Sequence, residues 1–207
     1  MRLGIQKLTV ICAAFLLVPS FIYADKFTFK ADKMTGGKAT GKEVTVLQGN
    51  AEVQSDSLVL KAERIELYGK NNNLVRCIGS VTGQQNDKGI YFKTDTMTYD
   101  RELKLARLEG NSTMEDKKNE IVARGRFIEY DEKKDITIFQ IAVRLFKNNM
   151  VCRSEYAVYR REDKLLELSG FPVVYKKNDE FRADNIRVDL DTDDVFMEGD
   201  VTGSIKE

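Results

Sequence analysis

A pattern of about thirty residues recurs six times along the chain, and no other feature limits the possible folds as strongly. Its first half reads apolar, any, small, polar, any, apolar. The copies run Phe29 to Met34, Leu60 to Ile65, Phe92 to Met97, Ala123 to Ile128, Cys152 to Ala157 and Phe181 to Ile186. The small residues fall at 31, 62, 94, 125, 154 and 183. The second half centres on Gly49, Gly79, Gly110, Gly170 and Gly199, with Ile141 in the fourth slot, at steps of 29 to 31 residues. Around each centre one parity is apolar or small, as in Thr45, Leu47, Ala51 and Val53. The other parity is mostly polar, as in Gln48, Asn50 and Glu52. Two-residue alternation kept in register through all copies specifies strands with one buried face.

Arg101 to Glu109 and Arg161 to Leu168 have helix-forming compositions, yet both occupy a slot that is strand-like in every other copy, so strand is expected there. Turn chemistry separates the halves, as at Gly69 to Asn73, Asn86 to Gly89, Asp131 to Lys134, Lys176 to Asp179 and Asp191 to Asp194. Within the first half the apolar parity slips, from Leu60 and Ala62 to Ile65 and Leu67. An odd offset cannot keep one face buried along a straight strand, so each strand bulges or turns a corner there. The central glycines, placed on the inward parity, are expected to provide the bend and spare interior room. The expected fold is all-β: an elongated, V-shaped, semi-open stack of about twelve bent, mostly antiparallel strands, roughly 55–60 Å long.

Composition narrows the chemistry. The 207 residues contain no His, and 33 Lys and Arg balance 33 Asp and Glu. Without His, Ser-His-Asp and Cys-His catalysis are excluded, and so is the commonest zinc ligand. A balanced charge argues against nucleic acid as the main partner. No catalytic residues, metal ligands or cofactor are assigned. Arg2 and Lys7 precede an apolar run from Leu8 to Val18, followed by Pro19, Ser20 and the small Ala24. That is the form of an export signal cleaved after residue 24, leaving a single domain over 25–207 in the periplasm or outside the cell. The run is shorter than the roughly twenty residues of a spanning helix.

The repeated strands resemble those of the OstA-like family. The features that carry this are Ala62-Glu63-Arg64-Ile65-Glu66-Leu67, Thr94-Asp95-Thr96-Met97-Thr98-Tyr99, Leu47-Gln48-Gly49-Asn50-Ala51 and Leu168-Ser169-Gly170-Phe171-Pro172, together with the export signal. The resemblance spans residues 27–205. It implies a semi-open β-jellyroll in the periplasm whose apolar groove carries the acyl chains of lipopolysaccharide or a related glycolipid from inner to outer membrane. It also implies head-to-tail self-association, an inner-membrane LptC-like partner of the same fold and an outer-membrane LptD-like barrel partner. Ile141 departs from the family's central glycine and is expected to close the groove locally or shift the bend.

The groove candidates are the inward positions Leu47, Leu60, Ile65, Phe92, Met97, Leu108, Ile128, Phe139, Ile141, Leu168, Phe181, Ile186 and Met197. From periodicity alone the same residues also suit an ordinary packed core. Open sheets expose end strands, and Phe27, Phe29, Val195 and Val201 mark apolar edges without proline, suited to strand addition between molecules. Cys77 and Cys152 lie in different columns and are not expected to pair. Tyr99, Tyr130 and Tyr159 recur at one strand end and are read as structural packing. Arg76, Arg107, Arg124, Arg126, Arg144, Arg153, Arg160 and Arg161 are read mostly as a solvated face. Asp189 to Asp194, which partly matches a calcium loop, lacks the glycine and bidentate Glu and is read as a turn. Two other functions stay in view: an envelope polymer that carries nothing, and a membrane-anchored partner of the same fold.

Overall fold

The computed structural model describes residues 28–39 and 42–206. The expected signal segment and Phe27 lie outside the described residues. The strands are β1 (Thr28–Lys30), β2 (Lys33–Ala39), β3 (Lys42–Gln54), β4 (Leu58–Tyr68), β5 (Leu74–Gln85), β6 (Ile90–Asp100), β7 (Leu105–Asp116) and β8 (Ile121–Asp131). They continue as β9 (Ile136–Lys147), β10 (Met150–Arg160), β11 (Leu165–Ser169), β12 (Val173–Lys176), β13 (Asp179–Arg182), β14 (Asn185–Asp189), β15 (Val195–Glu198) and β16 (Thr202–Ser204). All are antiparallel neighbours in one 16-stranded sheet. Eight strands, β3 to β10, run unbroken around a corner. The others are four pairs, β1 with β2, β11 with β12, β13 with β14 and β15 with β16, each interrupted at the same corner. Twelve bent strands result, and the two helix-like stretches are turns leading into β7 and β11.

The register shifts where the parity slips, between Lys61 and Arg64, Lys93 and Thr96, Arg124 and Phe127, and Ser154 and Tyr156. The sheet thereby folds into two arms, each with one continuous inward row. On the first arm the row is Phe29, Val53, Leu60, Gly83, Phe92, Met114, Ala123, Leu145, Cys152, Val174, Phe181 and Gly203. On the second it is Met34, Leu47, Ile65, Cys77, Met97, Leu108, Ile128, Phe139, Ala157, Leu168, Ile186 and Met197. Cys77 and Cys152 thus stand on opposite arms as free, buried thiols, each pushed up to about 12 by burial. Near the corner the arms converge, and the row between them is mostly small: Ala51, Ala62, Thr94, Ser112, Gly125 and Ser154, with Val81 and Val143 the largest. Thr94 and Ser112 satisfy each other there through hydroxyls 2.7 Å apart.

The central glycines do not provide interior room. They sit on the corner with positive φ, each followed by one more residue turned the same way in Gly49-Asn50, Gly79-Ser80, Gly170-Phe171 and Gly199-Asp200. A Cβ at Gly49, Gly79, Gly110 or Gly199 would fall within 2.6 Å of the Asp32, Glu63, Asp95 or Asp184 carboxylate respectively. The acid of one half-repeat therefore packs on the glycine of the next, and its oxygens accept bonds from bulge residues. The Asn111 amide reaches Asp95 Oδ2 at 2.8 Å, and the Ser80 hydroxyl reaches Glu63 Oε1 at 3.0 Å. In the fourth repeat Arg126 replaces the acid and Ile141 the glycine. Ile141 keeps the bulge at φ 65°, a conformation that β-branched residues resist. Positive φ turns its side chain outward, where it is 52% exposed. Contrary to the expectation from its inward parity, Ile141 neither lines nor closes the interior.

Candidate functional site: an apolar trough with a split mouth

Both inward rows face each other across the V. Leu47, Leu60, Ile65, Phe92, Met97, Leu108, Ile128, Phe139, Leu168 and Ile186 are all buried there. Phe181 and Met197 pack against the same core while partly exposed near the C-terminal end. Of the thirteen groove candidates, all but Ile141 therefore fall in the trough. They do not all border open space.

Leu60, Phe92, Met97, Leu108 and Ile128 line a cavity between the arms in the N-terminal half, together with Val53, Leu58, Leu67, Val75 and Met114. Ser55, Ser57, Asn72, Arg101, Lys104 and Glu132 form its polar lip. Phe92 lies flat over Gly83, whose missing side chain is what lets the ring tuck against the wall; a Cβ there would stand 1.9 Å from Cζ. The volume is about 80 Å³. A dry cavity of about 150 Å³ holds one benzene, so an acyl chain enters this one only if the arms part.

Farther along, the mouth is bolted by charge. Asp116, at the tip of the first arm, accepts from Arg161 Nε at 2.7 Å and from the Tyr159 hydroxyl at 3.1 Å on the second arm. Arg161 also reaches Asp135 Oδ2 at 3.2 Å and donates to the Lys88 carbonyl at 2.8 Å. Lys88 crosses the mouth to Asp135 Oδ1 at 2.9 Å and to the Tyr130 hydroxyl at 2.8 Å. Gln85 bonds Glu132 beside them. Nearer the C-terminal end, Lys147 and Lys176 both reach Asp193 on the opposite tip. The side chains of Asp116 and Asp135 are 1% and 8% exposed, so these are buried ions whose charges must be met by partners.

The electrostatics follow from that burial. Desolvation by itself raises Asp135, but the bonds from Tyr130, Lys88 and Arg161 outweigh it and hold the carboxyl below the usual range. Burial likewise works against the charge on Arg161, and Asp116 and Asp135 more than offset it, so the guanidinium is held charged. Tyr130 and Tyr159 are pushed up by burial, with Asp135 and Asp116 adding to the effect. Of the recurring tyrosines, Tyr130 and Tyr159 give their hydroxyls to the bolt and Tyr99 donates to Glu132, while Tyr99 and Tyr130 also line the cavity. Arg161, expected on the solvated face, is its centre.

The bolt was not visible beforehand. Lys88 sits in an ordinary turn signal, Asp116 and Asp135 stand at strand ends, and their ion-pair partners lie 26 to 47 positions away. Of the bolt's members only Arg161, Tyr130 and Tyr159 belong to a recurring sequence feature.

The family model described as OstA-like protein matches residues 26–199. The chain belongs to the OstA-like family. No curated protein is significantly similar to it in sequence. Among solved structures it is similar to LptH from Pseudomonas aeruginosa, described as the LptA-homologous periplasmic component of the lipopolysaccharide transport device. That similarity has 12% identity and a TM-score of 0.27, covering 88% of this chain and 96% of the other. Membership agrees with the bent-strand repeat, and in this OstA-like chain the described residues contain no group of three or more His, Cys, Asp and Glu suited to a metal ion.

Proposed function

We propose that this chain is an exported periplasmic lipid carrier, which moves lipopolysaccharide or a related acylated glycolipid between inner and outer membrane along the trough. The single observation that carries this reading is the apolar cavity between the arms, in a member of the OstA-like family. Burying a CH₂ is worth about 0.8 kcal/mol, so a chain of about fourteen carbons needs roughly 10 kcal/mol of apolar cover to cross water. The inward rows supply such cover as a lane of adaptable Leu, Phe and Met side chains without a specific polar pocket.

The sheet has free edge strands at both ends. Phe29 on β1 and Val201 beside β16 are about half exposed, and Val195 starts the last strand of the second arm. Edge strands of this kind pair with other chains. We assign them to head-to-tail contacts, with further copies or with LptC-like and LptD-like neighbours. The domain would be residues 25–207 after removal of the first 24.

The closed C-terminal half supports a second reading, an end-to-end envelope polymer without cargo. Native mass spectrometry with lipid extraction, on protein purified gently from cells, separates the two. The carrier retains an acylated glycolipid, and Phe92→Asp, which puts a charge in the cavity wall, abolishes that retention. A lipid-free protein that still forms ladders of oligomers would establish the polymer instead.

A further inference from the structure

The second position of the first half-repeat, which the repeat pattern leaves free, is a cation in every copy: Lys30, Lys61, Lys93, Arg124, Arg153 and Arg182. Strand pairing brings these six into one outward row along the whole first arm. The full row reads Lys30, Glu52, Lys61, Thr82, Lys93, Thr113, Arg124, Arg144, Arg153, Val173, Arg182 and Thr202. Arg144 sits directly between Arg124 and Arg153. Like charges directly opposite on neighbouring strands are destabilising. Among the described residues none of these three arginines has an ion-pair partner, whereas Lys61 and Arg182 pair with Glu52 and Glu180.

The outer face of the second arm is built the other way. Its cations alternate with acids and are neutralised by them, in Arg64 with Glu66, Arg107 with Glu129, and Arg160 with Glu167. The whole chain carries as many acids as bases, so the row reflects segregation of charge onto one face and no general excess. Beside it runs a row that holds Val59, Tyr91, Val122, Phe146, Val151 and Tyr175, with Glu115 and Glu180 among them. Arg124 lies 5.7 Å from the Phe146 ring, Arg153 lies 5.2 Å from Tyr175, and Lys93 lies 5.8 Å from Tyr91.

We propose that the outer face of the first arm docks on the phosphate-bearing surface of an anionic lipid bilayer. Charge complementarity selects the occupant. An evenly spaced cationic line on an open sheet face, without a pocket, matches an extended array of anionic headgroups. The flanking Tyr91, Val122, Phe146, Val151 and Tyr175 provide the aromatic and aliphatic contacts suited to the headgroup boundary. This surface lies outside the V, so the proposal stands apart from the cargo reading.

Vesicle co-sedimentation of the full chain tests it, comparing 30% phosphatidylglycerol in phosphatidylcholine with phosphatidylcholine alone. The apolar run at residues 8–18, with Arg2 and Lys7 beside it, is present in wild type and in both triple variants described below, so the difference between the two triples isolates the charge of the arm. Wild type should prefer the anionic vesicles, and the preference should collapse at 0.5 M salt. The triple variant Arg124→Thr, Arg144→Thr, Arg153→Thr should lose about a hundredfold in affinity for them. Threonine suits strands and the change relieves like-charge contacts, so its melting temperature should not fall. A control triple, Arg64→Thr, Arg76→Thr, Arg107→Thr, removes the same charge from the second arm and should retain the preference. Equal losses in both triples, no loss in the first, or no preference in wild type would overturn the proposal; the last is also the result expected of a face that docks an acidic protein.

Discussion

The N-terminal and C-terminal halves of the trough share one repeat, one corner and the same two inward rows, yet their mouths differ. In the first, tips carrying Ser55, Ser57, Asn72, Arg101 and Lys104 frame a cavity. In the second, Asp116, Asp135, Lys88 and Arg161 join the tips through buried ion pairs, and the bolt begins at the cavity's edge, where Gln85, Tyr130 and Glu132 belong to both. Below them Leu145, Tyr159, Leu166 and Val174 are fully enclosed. The repeat therefore sets the walls, while the tips, which it constrains least, decide whether a given stretch is a chamber or a packed core. A carrier needs both properties: a place where apolar surface opens cheaply, and a frame that keeps the arms together while it does.

The sharpest way to break the comparison is Arg161→Met. It leaves Asp116 and Asp135 buried beside fewer cations, and removing one partner from a buried ion pair costs about 3–5 kcal/mol. Lys61→Met in the open half removes only an exposed pair with Glu52 and should cost under about 1 kcal/mol. Urea unfolding of both variants reads the difference, and equal costs would mean that the bolt holds nothing.

A smaller effect is expected from acid. Because Asp135 is held below its unfolded value, its contribution to stability is complete above that value, near pH 4, and is lost as pH falls through the native one. Urea midpoints of wild type should fall more steeply below about pH 4 than those of Asp135→Asn, which has no carboxyl to protonate there. Parallel pH profiles would remove Asp135 from the bolt.

Much of the architecture was legible in the sequence, for definite reasons. Strand alternation has a period of two, so the inward direction of Leu47, Ile65, Met97 and Ile186 is written in the sequence, and the slip from Ala62 to Ile65 marks the corner. The glycine slots misled because parity counting fails at a bulge. Two successive residues with positive φ turn the chain, and the side chain at that slot points away from the interior, as Ile141 does. The bolt was hidden for another reason. Arg161 and Lys88 are 73 residues apart and meet only after the arms fold toward each other, which no local pattern specifies. The basic row was present in the sequence all along, but a position that accepts any residue in the pattern became a surface feature only once strand pairing aligned its copies.

In the proposed carrier, cargo occupies the open half of the trough and the bolted half stays shut. A photoreactive benzoylphenylalanine placed at Phe92, and separately at Leu166, with illumination in living cells, tests it most directly. A crosslink to acylated glycolipid is expected from position 92 and none from position 166. A crosslink from position 166, with or without one from 92, or no crosslink from either position, would contradict it.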